Sequence, residues 1–294
     1  MERLNHCPAC EGNSFTPVME CKDYTVSGEF FSIVRCESCD LEFTNPRPAQ
    51  REIGVYYQSE AYISHTDENA PGLVNAIYRL VRNYTLGSKK RLIESYQQKG
   101  LLLDIGCGTG AFAETMQKAG WKVKAVEPDE GAANRARKRG LDVAPEEWLY
   151  ESEKQFDVIS MWHVMEHVHD LKTRFSQLFQ LCKPGGLVLI AVPNPKSIDA
   201  KHYGNIWAAR DVPRHLYHFP PEMLRRRMQL QGFEVVTTKG MPFDPFYISM
   251  LSERYASGHD RLFMALLKGK YFWMRSLFGK DLWSSQIYIF RKPL

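Results

Sequence analysis

The chain has 294 residues, room for about two compact units at roughly 150 residues each, so it can bury a core without disulfide staples. Apolar residues at 44% and charged residues at 24% are ordinary for soluble globular proteins and exclude a largely disordered or collagen-like chain. A net charge of +4, from 38 basic and 34 acidic residues, is too small to imply nucleic-acid binding by composition. No run of 18 apolar residues occurs, and the start Met1-Glu2-Arg3-Leu4-Asn5-His6 lacks the apolar stretch of an export signal, so a cytoplasmic location is expected.

Four of the seven cysteines form two Cys-x-x-Cys pairs, Cys7/Cys10 and Cys36/Cys39, with 25 residues between them. Each such turn aims two thiolates at one ion, and two turns complete a tetrahedral sulfur cage, so residues 1–46 read as a zinc ribbon stabilised by its metal. Cys21, alone in the spacer, reads as a buried thiol. Between the pairs Lys22 and Arg35 face Glu11, Glu20, Asp23 and Glu29. That balance does not suit a phosphate-reading surface, so a nucleic-acid partner is not expected and a structural or substrate-side role is.

Asn45-Pro46-Arg47-Pro48 marks the exit from the ribbon. Residues 47–98 read as a helical linker or cap: a polar-aromatic patch from Tyr56 to Tyr62, a Pro71-Gly72 break, then apolar residues at helical spacing (Leu73, Ile77, Leu80, Val81, Tyr84). Tyr57 is a candidate substrate-binding residue in this cap, with Tyr56 beside it.

From residue 99 short apolar runs alternate with amphipathic stretches, the pattern of an α/β domain with a mostly parallel sheet. Strands are predicted at 101–105, 122–127, 141–144, 156–161, 186–192, 233–238 and 285–291, and helices near 110–119, 129–139, 171–182 and 220–231. The first strand runs into Gly106-Cys107-Gly108-Thr109-Gly110 and then a helix, a turn where backbone N–H groups can meet an anion. Gly106-x-Gly108-x-x-Ala111 with Glu127 about twenty residues on also satisfies a dinucleotide pattern, so glycine spacing leaves a nicotinamide-dependent dehydrogenase open. Asp104 favours a ligand carrying a cation. Glu127, ending the second strand, is placed to accept from two ribose hydroxyls. A zwitterionic amino acid joined to a ribose describes S-adenosylmethionine.

On these residues the sequence resembles the class I S-adenosylmethionine-dependent methyltransferases. Asp104-Ile105-Gly106-Cys107-Gly108-Thr109-Gly110 matches that family's first motif and Glu127 its ribose-binding acid. Phe156-Asp157-Val158-Ile159 matches its fourth strand, and Lys183-Pro184-Gly185-Gly186 the turn before its fifth. The match covers residues 95–240. It implies a Rossmann-like seven-stranded sheet with the last strand antiparallel, and a cofactor site of Asp104, Gly106, Cys107, Gly108, Gly110, Glu127, Pro128 and Trp162. It also implies that Glu146 or Glu147 reads the adenine amine.

After the fourth strand, Met161-Trp162-His163-Val164-Met165-Glu166-His167-Val168-His169-Asp170 places three histidines and two acids at the carboxyl edge of the sheet, where open α/β sheets bind ligands. Methyl transfer is an in-line displacement from a sulfonium, helped by alignment and by removal of the acceptor's proton. His167 is the expected general base, supported by Glu166. Glu-His here resembles the subgroup of ubiquinone-pathway, sugar and polyketide methyltransferases, some of which bind a divalent ion in this stretch. That resemblance makes His163, Glu166 and His167 a candidate second metal triad, and all three are carried as catalytic candidates. A later cluster, Arg210-Asp211-Val212-Pro213-Arg214-His215, offers Arg214 and His215 for the acceptor, or else a packed loop with Arg214 paired to Asp211.

Between the last two strands, 241–283 is a long aromatic-rich insertion, and residues 260–294 carry seven basic and two acidic side chains. The interleaving in Lys268-Gly269-Lys270-Tyr271-Phe272-Trp273-Met274-Arg275 suits a packed helix, a lid, a peripheral membrane contact or an acidic partner. The expected function is methyl transfer to a small-molecule acceptor by a core domain spanning 99–294. An RNA methyltransferase and a non-catalytic cofactor-binding module are the alternatives.

Overall fold

Three strands, β1 (Phe15–Lys22), β2 (Phe30–Cys36) and β3 (Glu42–Thr44), open the computed structural model, which describes the backbone of residues 1–58 and 73–294. They pair antiparallel in chain order, and the two Cys-x-x-Cys turns flank β1 and β2. Ser59–Tyr62, Pro71-Gly72 and the side chains of Leu73 and Ile77 lie outside the described residues.

The rest is α1 (Leu73–Glu94), β4 (Leu101–Ile105), α2 (Ala111–Lys118), β5 (Lys122–Val126), α3 (Glu130–Lys138), β6 (Asp142–Ala144), α4 (Trp148–Glu151), β7 (Phe156–Trp162), α5 (Leu171–Leu181), β8 (Cys182–Pro193), α6 (Ile198–Tyr203), β9 (Tyr217–His218), α7 (Pro221–Leu230), β10 (Glu234–Gly240), α8 (Asp244–Ser257), α9 (Leu262–Ser276) and β11 (Ser285–Arg291). Seven strands form one sheet in the order β10-β11-β8-β7-β4-β5-β6, with β11 antiparallel to both neighbours and the pairs from β8 to β6 parallel. This is the expected seven-stranded sheet, with the last strand reversed. The central strands β4, β7 and β8 are covered on both faces, which is why they read as near-continuous apolar runs. Helix α2 buries Phe112, Ala113 and Met116 on one stripe. Asp129 and Asp170 start α3 and α5 by accepting backbone N–H bonds from Ala132 and Thr173. The Lys183–Gly186 turn is absorbed into β8 as an irregularity in its pairing with β7.

The ribbon is not a detached unit ending at residue 46. The two-residue strand β9, at Tyr217–His218, pairs with β3 and becomes the fourth strand of the ribbon sheet. Cys7, Cys36, Leu41 and Phe43 share one apolar cluster with Leu103, Ile159 and Tyr288 of the main domain. Burying that ribbon face therefore requires the seven-stranded sheet to be in place. Cys21 is buried beside Phe31, Ile33 and Val212, as an ordinary core thiol should be.

Candidate functional site

The carboxyl ends of β4 and β5 and the loop between β4 and α2 form one wall of a crevice. Gly106 has φ +70° and a Cβ there would stand 2.4 Å from Val164, while Gly110, which starts α2 at φ +83°, would press a Cβ to 2.9 Å from that of Ala136. Both positions need glycine for conformation and for close approach. Glu127 accepts from the N–H of Gly108 at 2.7 Å and from that of Asp129 at 3.0 Å, which moors the glycine loop to the end of β5. Burial raises its pKa. Ile105, Gly106, Val126, Pro128, Glu146 and Tyr150 line an open crevice that also reaches His167. Of the two acids expected near adenine, Glu146 lines this crevice, its carboxylate held by buried Arg174, while Glu147 is exposed.

Asp104 is buried at the end of β4 and accepts from Ser160 Oγ at 2.7 Å. Burial pushes its pKa up to about 7, against the Ser160 hydrogen bond and the charge of Lys89. A ligand ammonium would restore the charged form, as the sequence reading expects. Lys89 on α1 carries no sequence signal beyond a polar position on a helix, yet its Nζ sits 4.0 Å from the centre of the Trp162 ring, and burial pushes its pKa down to about 8. Trp162 meets Phe112 edge-on at 5.1 Å. Cys107 donates its N–H to Val126, inside the same turn. Of the expected cofactor residues, Gly106 and Pro128 line the crevice, and Glu127 is tied to Gly108 in the loop beside it. Glu127→Ala is expected to weaken S-adenosylhomocysteine binding by about 10- to 100-fold through loss of charge-assisted hydrogen bonds, read by calorimetry. Unchanged affinity would sink the assignment.

The opposite wall carries the histidines. Glu166 is fully buried, and both carboxylate oxygens lack a hydrogen-bond partner among the described residues. A ring nitrogen of His167, one of His215 and a Glu166 oxygen lie within 4.8 Å of one another. The two rings meet edge-on at 4.8 Å. His167 Nδ1 stands 2.9 Å from the carbonyl of Arg214, and His215 Nδ1 2.9 Å from that of Ala209. Two lone pairs at that distance would repel, so each Nδ1 carries the proton and each Nε2 keeps a lone pair. Burial and the neighbouring His215 push His167 down to about 4, so its imidazole is neutral. Tyr57 Oη lies 2.9 Å from His167 Nδ1, which brings Tyr57 to this wall, whereas Tyr56 bonds Glu29 and packs on Phe31.

The metal triad needs one correction. His163 takes φ +57° just after β7 and turns its ring between Glu166, at 3.4 Å, and Asp244 at the start of α8, at 3.6 Å. His215 stands with Glu166 and His167 instead. The set Glu166, His167 and His215 fits a divalent ion: one buried carboxylate whose Oε1 has His163 at 3.4 Å and whose Oε2 makes no hydrogen bond among the described residues, and two imidazoles oriented by Nδ1–H bonds to backbone carbonyls.

Arg214 is corrected as well. Its guanidinium is buried and donates to Asp211, to Asp23 at 3.0 Å and to the carbonyl of Tyr56 at 2.9 Å, so the fork expected for an acceptor is occupied by protein. Of its two expected places, the packed loop is the one observed. Asp23, a ribbon residue, thereby holds the loop whose carbonyl orients His167. Thr44 on β3 donates to the carbonyl of His215 at 3.0 Å, and Arg210 donates to buried Glu42 at 2.9 Å. No local pattern in the sequence pairs these residues, which are more than 160 positions apart.

Cys7, Cys10, Cys36 and Cys39 converge, with Sγ atoms 3.6 Å apart in the pairs Cys7/Cys39 and Cys10/Cys36. Thiolates about 2.3 Å from a tetrahedral zinc stand roughly 3.8 Å from one another, so the cage fits that ion. The Cys39 thiol draws Cys7 well below the usual thiol range, which favours a thiolate there.

A family model described as a methyltransferase domain matches residues 79–238. A ubiquinone biosynthesis O-methyltransferase of Dinoroseobacter shibae is 33% identical over 162 residues, covering 50% of this chain and 65% of that protein. One of Ruegeria pomeroyi is 34% identical over 158 residues, covering 49% and 64%. The chain thus spans less than two thirds of these curated relatives. Among solved structures, magnesium protoporphyrin IX methyltransferase of Synechocystis with bound S-adenosylhomocysteine is 14% identical with a TM-score of 0.54, covering 81% of this chain and 96% of that one. That likeness shows a shared fold.

Proposed function

Since the chain belongs to the methyltransferase-domain family, we propose that it transfers the methyl group of S-adenosylmethionine to a hydroxyl oxygen of a small quinol- or catechol-like acceptor. The observation that carries this reading is the pairing of two walls in one crevice. Asp104 and Glu127, beside the glycine loop, suit a zwitterionic, ribose-bearing donor, and Gly106 and Pro128 line the same crevice as His167 of the Glu166–His167–His215 cluster. The relatives named for ubiquinone biosynthesis support a phenolic acceptor over an amine or a nucleic acid.

His167 and Glu166 act on the acceptor, His167 through an unprotonated Nε2 and Glu166 through a carboxylate with free acceptor capacity. A divalent ion held by Glu166, His167 and His215 would lower the pKa of an acceptor hydroxyl by binding its oxygen. Val164, pressed on Gly106, and the half-buried Trp162 help to keep water from the donor. The zinc ribbon supplies structure: its sheet takes in β9, and Asp23 and Thr44 brace the loop that carries His215.

Incubation with S-adenosylmethionine and a panel of catechols and prenylated hydroxybenzoates should yield S-adenosylhomocysteine together with an O-methyl product seen by mass spectrometry. Turnover with amines or RNA and none with any phenol would overturn this reading.

A further inference from the structure

Helix α9, in the insertion before β11, is apolar on two sides. Its inner side, with Ala265, Gly269, Phe272 and Ser276 buried, seats against α8 and α6. Gly269 allows near-backbone contact, since a Cβ there would stand 2.8 Å from the Cα of Phe246. The outer side exposes Phe263, Leu266, Leu267, Tyr271 and Met274, spaced at three, four, seven and eight residues, and Phe278 follows two residues past the helix end, with Phe263 76% and Phe278 84% exposed. A helix resting on its own domain needs one apolar stripe, and this one has a second.

Charge on the outer side has one sign. Lys270 and Arg275 on the helix and Arg261 just before it are exposed, none is in an ion pair among the described residues, and Leu262–Ser276 contains no acid, the nearest one, Asp260, facing Arg254 at 3.6 Å. Lys268 is the exception and belongs to the inner side, where it bonds buried Glu253. No described helix is long and apolar enough to cross a membrane. We infer that the outer face of α9 docks on an anionic lipid bilayer, lying in the interface with its aromatic side chains among the acyl chains and its three cations among the headgroups. A second copy of the chain is a poorer occupant, because twofold pairing of this face would set cations against cations with no acid on the helix to answer them. The α8–α9 hairpin begins at Asp244, 3.6 Å from His163, so a seated α9 holds the crevice at the membrane surface, where an apolar acceptor would dissolve.

The test is sedimentation of full-length protein with sucrose-loaded vesicles. Binding to mixed phosphatidylcholine–phosphatidylglycerol vesicles is expected to exceed binding to pure phosphatidylcholine by about tenfold or more and to weaken with salt. Phe263→Glu/Phe278→Glu should lower it by roughly tenfold or more with an unchanged melting temperature. Should that variant misfold, Lys270→Gln/Arg275→Gln, which alters only exposed cations, decides by losing about tenfold on the anionic vesicles alone. No binding by the wild type, or equal binding by the charge variant, overturns the inference. So does a lipid-free dimer that Phe263→Glu dissociates, or retention on an acidic polypeptide without vesicle binding. None of these readouts needs methyl transfer, so the vesicle result and the functional reading can fail separately.

Discussion

Serine at Cys36 and Cys39 is expected to remove about one zinc per chain and to lower the melting temperature by more than about 10 °C. Structural zinc sites of this donor set bring apparent binding energies of about 10–16 kcal/mol, and a chain of this size loses roughly 2–4 °C per kcal/mol. The loss would not stay local. Cys7 and Cys36 are buried in the cluster that also holds Leu103 and Ile159, and β3 pairs with β9, next to His215. Releasing the thiolates frees the strand that braces the active-site loop, so cofactor affinity should hold better than methyl transfer. The measurements are metal analysis of the purified protein, a thermal melt, and turnover of the variant. Native wild-type protein without metal would remove the cage from the account. Asp23→Asn separates the mechanical link from the metal: it leaves the thiols alone and removes one of the two carboxylates bonded to buried Arg214, Asp211 remaining, which should cost about 1–3 kcal/mol.

The strands were legible because both of their faces are covered: Leu101-Leu102-Leu103 and Val188-Leu189-Ile190 read as apolar runs whatever lies around them. The cofactor turn was legible for a similar reason, since positive φ at Gly106 and Gly110 is a local demand that glycine answers locally. The four ribbon cysteines announce themselves by spacing. What stayed hidden depends on residues meeting across the fold. Tyr217-His218 is too short to show a strand period and pairs only because β3 offers an edge. Lys89 looks like any charged helix position until α1 lays it over Trp162. In the sequence His163 stands beside Glu166 and His167 while His215 looks like an acceptor residue; which ring joins Glu166 turns on a left-handed residue after β7 and on a loop held by a ribbon aspartate. The insertion 241–283 showed its aromatic and basic content, but not which of those residues α8 would cover.

His167→Ala is expected to lower kcat by about 10²- to 10³-fold while changing S-adenosylhomocysteine affinity by less than about threefold. The split follows from placement. His167 shares the crevice with Gly106 and Pro128 but sits in the segment after β7, and its ring bonds the Arg214 carbonyl and Tyr57. Its neutral state and its Nε2 lone pair serve proton removal or metal ligation, and both vanish in alanine. Glu166→Gln discriminates between the two. If Glu166 only supports the base, the amide keeps the shape and the variant should retain a substantial part of the activity. If Glu166 is a ligand, the loss should match that of His167→Ala, and cobalt(II) added as a spectroscopic probe should give visible absorption with the wild type and none with either variant. Equal kcat for wild type and His167→Ala, with any acceptor that turns over, would take His167 out of the chemistry and leave the cluster as packing alone.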